Sequence, residues 1–248
     1  MKLGIFSSWL ENLSLLKILK QYNVDLIVYI NQDAWPIEDK TLEFQEKYVK
    51  QAIEKLQKEW AEKIILHPIW ELKYQNKDFV FPLYKKLIDQ TLKYSIVGKI
   101  GLFGNTLDLD EVEKFLLEYV KNYHPTPRQE KIKKFDCCKF YKKEISVWKY
   151  NTVVLSKRNW MLRKLIKTDL RYFFDCWVDS ILPTTYDIFH FEHIIKQKKK
   201  KLHFQEMKSW EFLDKMLPPK ENKYSLKLIT QWNVDMFLKH KKWQVFLK

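Results

Sequence analysis

The chain has 248 residues, a formal net charge of +14 and 46% hydrophobic residues. This length fits one large domain or two domains of roughly 100–150 residues each. Its cysteines, Cys137, Cys138 and Cys176, are too few for a disulfide scaffold and indicate a reducing compartment. The first residues lack a signal-peptide pattern, and no apolar run approaches the roughly 20 residues needed to span a bilayer. We therefore expect a cytoplasmic protein that makes no use of a membrane.

The positive charge invites a nucleic-acid-binding interpretation. The basic residues are nearly all lysine, however, and arginine occurs only at positions 128, 158, 163 and 171. Arginine is the usual choice for bidentate contacts with phosphate and bases. We therefore predict a solvated lysine surface with weak polyanion binding, and nucleic-acid binding stays an alternative.

The first third of the chain alternates between apolar runs and amphipathic stretches. Leu3 to Phe6 is a short apolar run, followed by two serines and then by helical spacing from Leu13. Val24 to Ile30 predicts a second buried strand, and a long helix follows with apolar residues four apart from Phe44 to Trp60. Lys63 to Leu66 predicts a third strand, which runs into His67-Pro68-Ile69-Trp70.

The remaining chain repeats this alternation. Strands are predicted at 98–103, 145–148, 175–182 and 225–229, and helices at 83–92, 109–122, 157–173, from 188, at 207–217 and from 233. Strands separated by helices favour an α/β fold with mainly parallel sheets. Loops after such strands gather at the carboxyl edge of a sheet, where ligands bind.

Two stretches carry a resemblance to a known family. The opening resembles the cofactor-independent glutamate racemases of the Asp/Glu racemase family, which read strand, Asp-Ser-Gly, a hydrophobic residue, Gly-Gly-Leu-Ser. Here Ser7 stands at the Asp position, Ser8 is kept, and three glycines are replaced by Trp9, Glu11 and Asn12. The run 98–106 resembles the segment Lys-Ile-Gly-Val-Ile-Gly-Thr that opens the family's second domain.

The resemblance implies two similar three-layer α/β domains that face each other across a cleft. It places residues 1–93 and 207–248 in the first domain and residues 94–206 in the second. It also implies that no cofactor is used.

The family's catalytic groups are substituted. Racemisation without a cofactor needs an acid and a base on opposite faces of the α-carbon, and the family supplies one cysteine from each half, in Ala-Cys-Asn-Thr and Gly-Cys-Thr-His-Tyr-Pro. These motifs align with 67–70 and 182–187, which puts Pro68 and Pro183 at the cysteine positions. Thr185 replaces the second motif's histidine, and Ile69-Trp70 replaces the Asn-Thr pair.

Some polar and aromatic residues remain at the expected cleft. They are Ser8, Trp9, Pro36, His67, Trp70, Asn105, Thr106, Thr184 and Tyr186. We expect Trp9 and Trp70, together with Trp35 from a third loop, to fill the space that a substrate would need. The pair His190 and His193 with Glu192 has no third ligand in register, so no metal site is predicted.

These substitutions predict a racemase-like pseudoenzyme of peptidoglycan-related ancestry with a binding or scaffolding role, as a homodimer or with a protein partner. One alternative is an active isomerase that supplies D-glutamate to the cell wall by using non-cysteine groups such as His67 or Tyr186. A second is a nucleic-acid-binding protein acting through its basic surface. An ordinary glutamate racemase with differently aligned loops also stays open.

Overall fold

The computed structural model describes residues 1–7, 12–34, 37, 40–131, 138–146, 149–150, 153, 159–191, 194–195, 203–204, 211–218 and 225–230. The chain divides into two compact units, residues 1–82 with 210–248 and residues 83–209. The helix at 83–94, which the sequence pattern assigns to the end of the first unit, lies in the second, because it packs against the strand at 180–183.

The first unit contains a sheet of four parallel strands in the order β3-β1-β2-β8. Strands β1 and β2 are buried at every position except the first, which is typical of parallel strands covered on both faces. Helix α2 packs its apolar stripe against both strands. The bounds are β1 Lys2–Ser7, α1 Leu13–Leu19, β2 Asp25–Ile30, α2 Leu42–Lys58, β3 Lys63–Ile65 and α3 Pro68–Lys73, with the later elements α8 Glu211–Met216 and β8 Ser225–Thr230.

The second unit contains another sheet of four parallel strands, in the order β5-β4-β6-β7. Strand β4 is flanked by β5 and β6 and is buried at every position after Lys99. The bounds are α4 Leu83–Tyr94, β4 Lys99–Gly104, α5 Thr106–Tyr119, α6 Pro127–Glu130, β5 Lys139–Glu144, α7 Asn159–Asp175, β6 Ser180–Pro183 and β7 His203–Phe204. No helix among the residues described here has both the length and the apolar character of a membrane span.

The two units repeat one strand–helix pattern. Strand β1 begins Lys-Leu-Gly-Ile-Phe and β4 begins Lys-Ile-Gly-Leu-Phe, and each is the strand between two neighbours of its sheet. Helices α2 and α7 both lead through a tryptophan and an acidic residue into the next strand, as Trp60-Ala61-Glu62 and Trp177-Val178-Asp179. No internal repeat is obvious from the letters alone, and these two short signals become recognisable as one only when the strands they open are compared.

Backbone geometry supports this equivalence. Trp60 and Trp177 both have positive φ angles, 66° and 59°. In each unit, the acidic residue two positions after the tryptophan donates a backbone hydrogen bond to the first residue of the central strand. Glu62 N donates to Lys2 O at 2.9 Å, and Asp179 N donates to Lys99 O at 3.1 Å. Both halves therefore enter the neighbouring strand in the same register.

A glycine in each central strand allows the helix to approach closely. A Cβ atom on Gly101 would lie 2.7 Å from the Phe173 ring of α7, and a Cβ atom on Gly4 would lie 3.1 Å from Ala61 Cβ. Phe173 is fully buried and packs edge-on against Phe103 with ring centroids 6.0 Å apart. Packing against the central-strand glycine is therefore tighter in the second unit than in the first.

Three predicted elements differ from the structure in place or type. The strand predicted at 145–148 is observed at 139–144; residues 145 and 146 lie beyond its end, and 147–148 lie outside the described residues. Three of its six side chains are exposed and three of its residues are lysines, a composition typical of an edge strand. The strand predicted at 175–182 begins only at Ser180, because α7 continues to Asp175 and a turn at Trp177 follows. The helix predicted from Ile188 begins as a 3₁₀ helix at 186–191; residues 194–195 are α-helical, and the remainder of the predicted helix lies outside the described residues.

Replacing Gly101 with alanine should destabilise the protein by about 1–3 kcal/mol, because the new methyl group overpacks a filled core. Gly4→Ala should cost less, since Ala61 Cβ and Ile64 are at 3.1 and 3.3 Å. Urea unfolding of both variants measures the difference. Equal costs for the two variants would contradict the tighter packing inferred for the second unit.

Candidate functional site

The carboxyl edge of the first sheet collects polar side chains that are almost fully buried. Ser7 ends β1 and is 1% exposed, and its carbonyl accepts a hydrogen bond from Asn31 N at 3.0 Å. Asn12 Nδ2 donates to Phe6 O at 2.7 Å, which ties the start of α1 to the end of β1. Ser8, Trp9, Trp35 and Pro36 lie outside the described residues, so their predicted places at this edge stay predictions.

Two buried asparagines complete this edge: Asn12, which replaces a family glycine, and Asn31, which no sequence motif identifies. Asn31 is fully buried and its Oδ1 accepts from Asp33 N at 3.1 Å, while Asn12 is 5% exposed. Within the part of the chain that the structure describes, Asn12 Oδ1 and Asn31 Nδ2 have no hydrogen-bond partner. A buried amide atom without a partner is costly. The sequence signal for Asn31 is its position directly after a buried strand, whereas Asn12 lies in the motif that carries the family resemblance.

His67 and Pro68 follow β3 at the same edge. Pro68 is the first residue of α3, where its fixed φ and missing N–H fit a helix start. His67 is 8% exposed, and burial lowers the pKa of its imidazole to about 3. The imidazole is therefore neutral at neutral pH and cannot serve as a proton donor from a protonated state.

Trp70 is buried by contacts with α2. Its indole Nε1 donates to Gln45 Oε1 at 3.1 Å, and Lys73 Nζ lies 4.6 Å from the ring centroid. Gln45 in turn donates through Nε2 to Lys40 O at 3.0 Å. This network accounts for the 1% exposure of Trp70 by packing within its own unit. The proposed filling of a substrate space by Trp9 and Trp35 remains a prediction.

The carboxyl edge of the second sheet is closed by backbone and hydroxyl contacts. Thr184 N donates to Phe103 O at 3.0 Å, and a Cβ atom on Gly104 would lie only 1.7 Å from Thr184 Oγ1. Asn105 caps α5, where its side-chain oxygen accepts from Asp108 N at 2.8 Å, and Thr106 is exposed. The structure thus gives Asn105 a helix-capping role at this edge.

Thr185, Tyr186 and Asp187 form a buried turn after β6. Thr185 Oγ1 and Asp187 Oδ2 are 3.5 Å apart, and Asp187 N approaches Thr185 Oγ1 at 3.4 Å. Tyr186 is 2% exposed and packs edge-on against Tyr84 of α4, with ring centroids 6.4 Å apart. Asp187 is 2% exposed. A carboxylate two residues after a threonine is the sequence signal that could have pointed to this turn.

The repeat between the units links positions in the two edges. Ile5 pairs with Ile65 in the first sheet, and the equivalent Leu102 pairs with Leu182 in the second. Counting onward from these pairs makes Pro68 equivalent to Thr185, two residues beyond Pro183. Neither edge contains a cysteine among the described residues; Cys138 is buried and Cys176 follows α7. The described residues also contain no cluster of three metal-ligating side chains.

Comparisons with known proteins identify the fold. No protein-family model and no curated protein matches the sequence. The solved glutamate racemase isoform of Bacillus anthracis superposes with a TM-score of 0.74 and 14% identity, covering 95% of this chain and 90% of that one. The Francisella tularensis glutamate racemase in complex with D-glutamate gives 0.72 and 13%, covering 99% and 93%. The Campylobacter jejuni enzyme gives 0.69 and 14%, covering 100% and 98%. The predicted glutamate racemase-like α/β fold is confirmed.

The buried His67 should make stability depend on pH. Since burial lowers its pKa from 6.5 to about 3, the unfolded chain binds this proton more readily than the folded protein. The free energy of unfolding therefore has its full value above pH 6.5 and decreases as the pH falls from 6.5 towards 3. At pH 5 the loss should be about 2 kcal/mol relative to neutral pH.

Urea unfolding at pH 7.5 and 5.0 of the wild type and of His67→Gln measures this contribution. The substitution should shrink the difference between the two pH values by about 2 kcal/mol. His124→Gln is the matched control, because His124 is exposed. A pH dependence that survives His67→Gln unchanged would refute the assignment.

Proposed function

We propose that this chain is a glutamate racemase-like pseudoenzyme that has lost racemase activity and acts in the cytoplasm by binding, as a homodimer or with a protein partner. The fold supports a relationship to glutamate racemases. The observation that carries the proposal is the residue at each position aligned with a family cysteine. That residue is Pro68 after β3 and Pro183 at the end of β6.

Two residues can be aligned with the family's second cysteine, Pro183 from the motif and Thr185 from the repeat between the units, and neither is a proton carrier. Proline has no titratable side chain, and the repeat between the units selects Thr185 as the position equivalent to Pro68. A threonine hydroxyl has no accessible pKa near neutrality, and Thr185 Oγ1 lies 3.5 Å from the Asp187 carboxylate. Exchange of an α-proton needs both an acid and a base. The proposal therefore does not depend on which of the two alignments is used.

The retained residues argue against catalysis. His67, which precedes the first position in sequence, is a weak base because burial holds its pKa at about 3. Tyr186 packs against Tyr84. Asp187, 2% exposed, contacts Thr185 within its own turn. These groups stabilise the loops that carry them. An isomerase acting through His67 or Tyr186 would need at least one of them to reach a substrate.

Purified protein should leave the circular dichroism signals of L-glutamate and L-aspartate unchanged during prolonged incubation. The absent acid and base are the reason, since positioning alone does not move an α-proton. The glutamate racemase of Bacillus anthracis, at equal concentration, is the positive control.

Racemisation that scales with the amount of protein would overturn the proposal. If Tyr186→Phe or His67→Gln then abolished that activity, the isomerase alternative would replace it. Activity that survived both substitutions would point to an ordinary racemase with differently aligned loops.

A further inference from the structure

Helix α7 presents a cationic face that the fold does not use. Its apolar side chains Leu162, Ile166, Leu170 and Phe173 are at most 4% exposed and form the buried stripe. The α7 cationic face consists of the exposed residues Arg163, Lys164, Lys167 and Arg171. These four cations follow one another at helical spacings of one, three and four residues, so they share one side of the helix.

The charge of this face is largely uncompensated. Asp175 lies 3.9 Å from Arg171. Within the described part of the chain, Arg163, Lys164 and Lys167 form no ion pair. Other cations do find partners: Lys142 contacts both Asp110 and Glu113. The face also holds two of the chain's few arginines, Arg163 and Arg171, although the surface as a whole is lysine-rich.

Exposed indoles flank the α7 cationic face. Trp160 at the start of α7 is 68% exposed, and Trp177, just after its end, is 80% exposed. At 1.5 Å per residue the cations and the two indoles extend over about 25 Å of helix. A groove of about 590 Å³ on this side is lined by three of the cations and by Thr168, Phe174 and the carboxylate of Asp175, which is the acidic residue beside Arg171. Cations, a groove and exposed aromatic rings therefore occur together.

We propose that the α7 cationic face binds single-stranded nucleic acid. Guanidinium and ammonium groups on one side of a helix match a line of phosphates, and arginine contacts them bidentately. Exposed indoles offer surfaces on which unpaired bases stack, whereas the bases of a duplex are already stacked on each other. A membrane surface fits less well, because the apolar stripe of α7 is buried in the unit and cannot insert. This inference does not rest on the loss of racemase activity.

Fluorescence anisotropy with a labelled oligothymidylate of about 20 nucleotides tests the proposal at salt concentrations of about 50 and 150 mM. Lys164→Ala with Arg171→Ala should weaken binding roughly tenfold or more at the lower salt and reduce the salt slope by about 1 to 2. The matched control is Lys55→Ala with Lys58→Ala, which removes the same charge from exposed positions of α2. The control should change affinity by less than about twofold.

The tryptophans provide a second test that charge alone cannot mimic. Trp160→Ala should weaken binding about five- to hundredfold, the range for one lost base stack. It should also reduce the quenching of tryptophan fluorescence that the bound oligonucleotide causes. Trp60→Ala is the control, because Trp60 is 78% exposed in the other unit. All four variants change exposed side chains, so their melting temperatures should match the wild type.

Three results would overturn the proposal. The first is an equal loss of affinity in the α7 and α2 double variants, which would mean that the net charge of the whole protein attracts the oligonucleotide. The second is tight binding of a duplex of the same length, or of heparin, combined with no loss of affinity in either Trp160→Ala or Trp60→Ala. That combination would indicate a general polyanion surface. The third is no binding at the lower salt.

Discussion

Each unit depends on a close contact between its central strand and the helix that leads into the neighbouring strand. Gly4 and Gly101 leave space for that helix, and at Gly101 even a methyl group would meet the buried Phe173 ring at 2.7 Å. A larger residue would move the helix away from the sheet. The turn after the helix contains Trp60 or Trp177, in a left-handed conformation that residues other than glycine seldom adopt. This turn sets the register of β3 and β6, and that register positions the loops that follow both strands.

The sequence predicts the parts of the fold that local patterns control. Continuous apolar runs identify β1, β2 and β4, and four-residue spacing identifies α2, because burial on both faces of a sheet or on one side of a helix leaves such a signature. The edge strand β5 escapes prediction because its lysine-rich sequence has neither a continuous apolar run nor an alternation of buried and exposed side chains. Contacts between distant residues are hidden as well. Trp70 aligns with a substrate-holding position of the family, and the hydrogen bond to Gln45 that satisfies its buried indole N–H is not visible in the sequence.

The candidate site, like the fold, is predicted only in part from the sequence. The resemblance identifies which loops matter, and the absence of cysteine from them is readable in the letters alone. The burial of Asn12 and Asn31 and the contact between Thr185 and Asp187 are visible only in the structure. The repeat between the units adds information that the family motifs lack, since it makes Pro68 and Thr185 equivalent. Under the proposed function, the racemase-like framework is retained while Pro68 and Pro183 stand at the positions aligned with the family's cysteines.

Hydrogen–deuterium exchange at the α-carbon in heavy water is the most direct test of this account. The assay detects proton abstraction even when no stereochemical inversion follows, so it would also reveal a single residual base such as Tyr186 or Asp187. Glutamate and aspartate are incubated with repurified protein, and deuterium incorporation is measured by mass spectrometry. The account predicts incorporation no faster than in buffer alone. Incorporation that increases in proportion to protein and persists through repurification would contradict it.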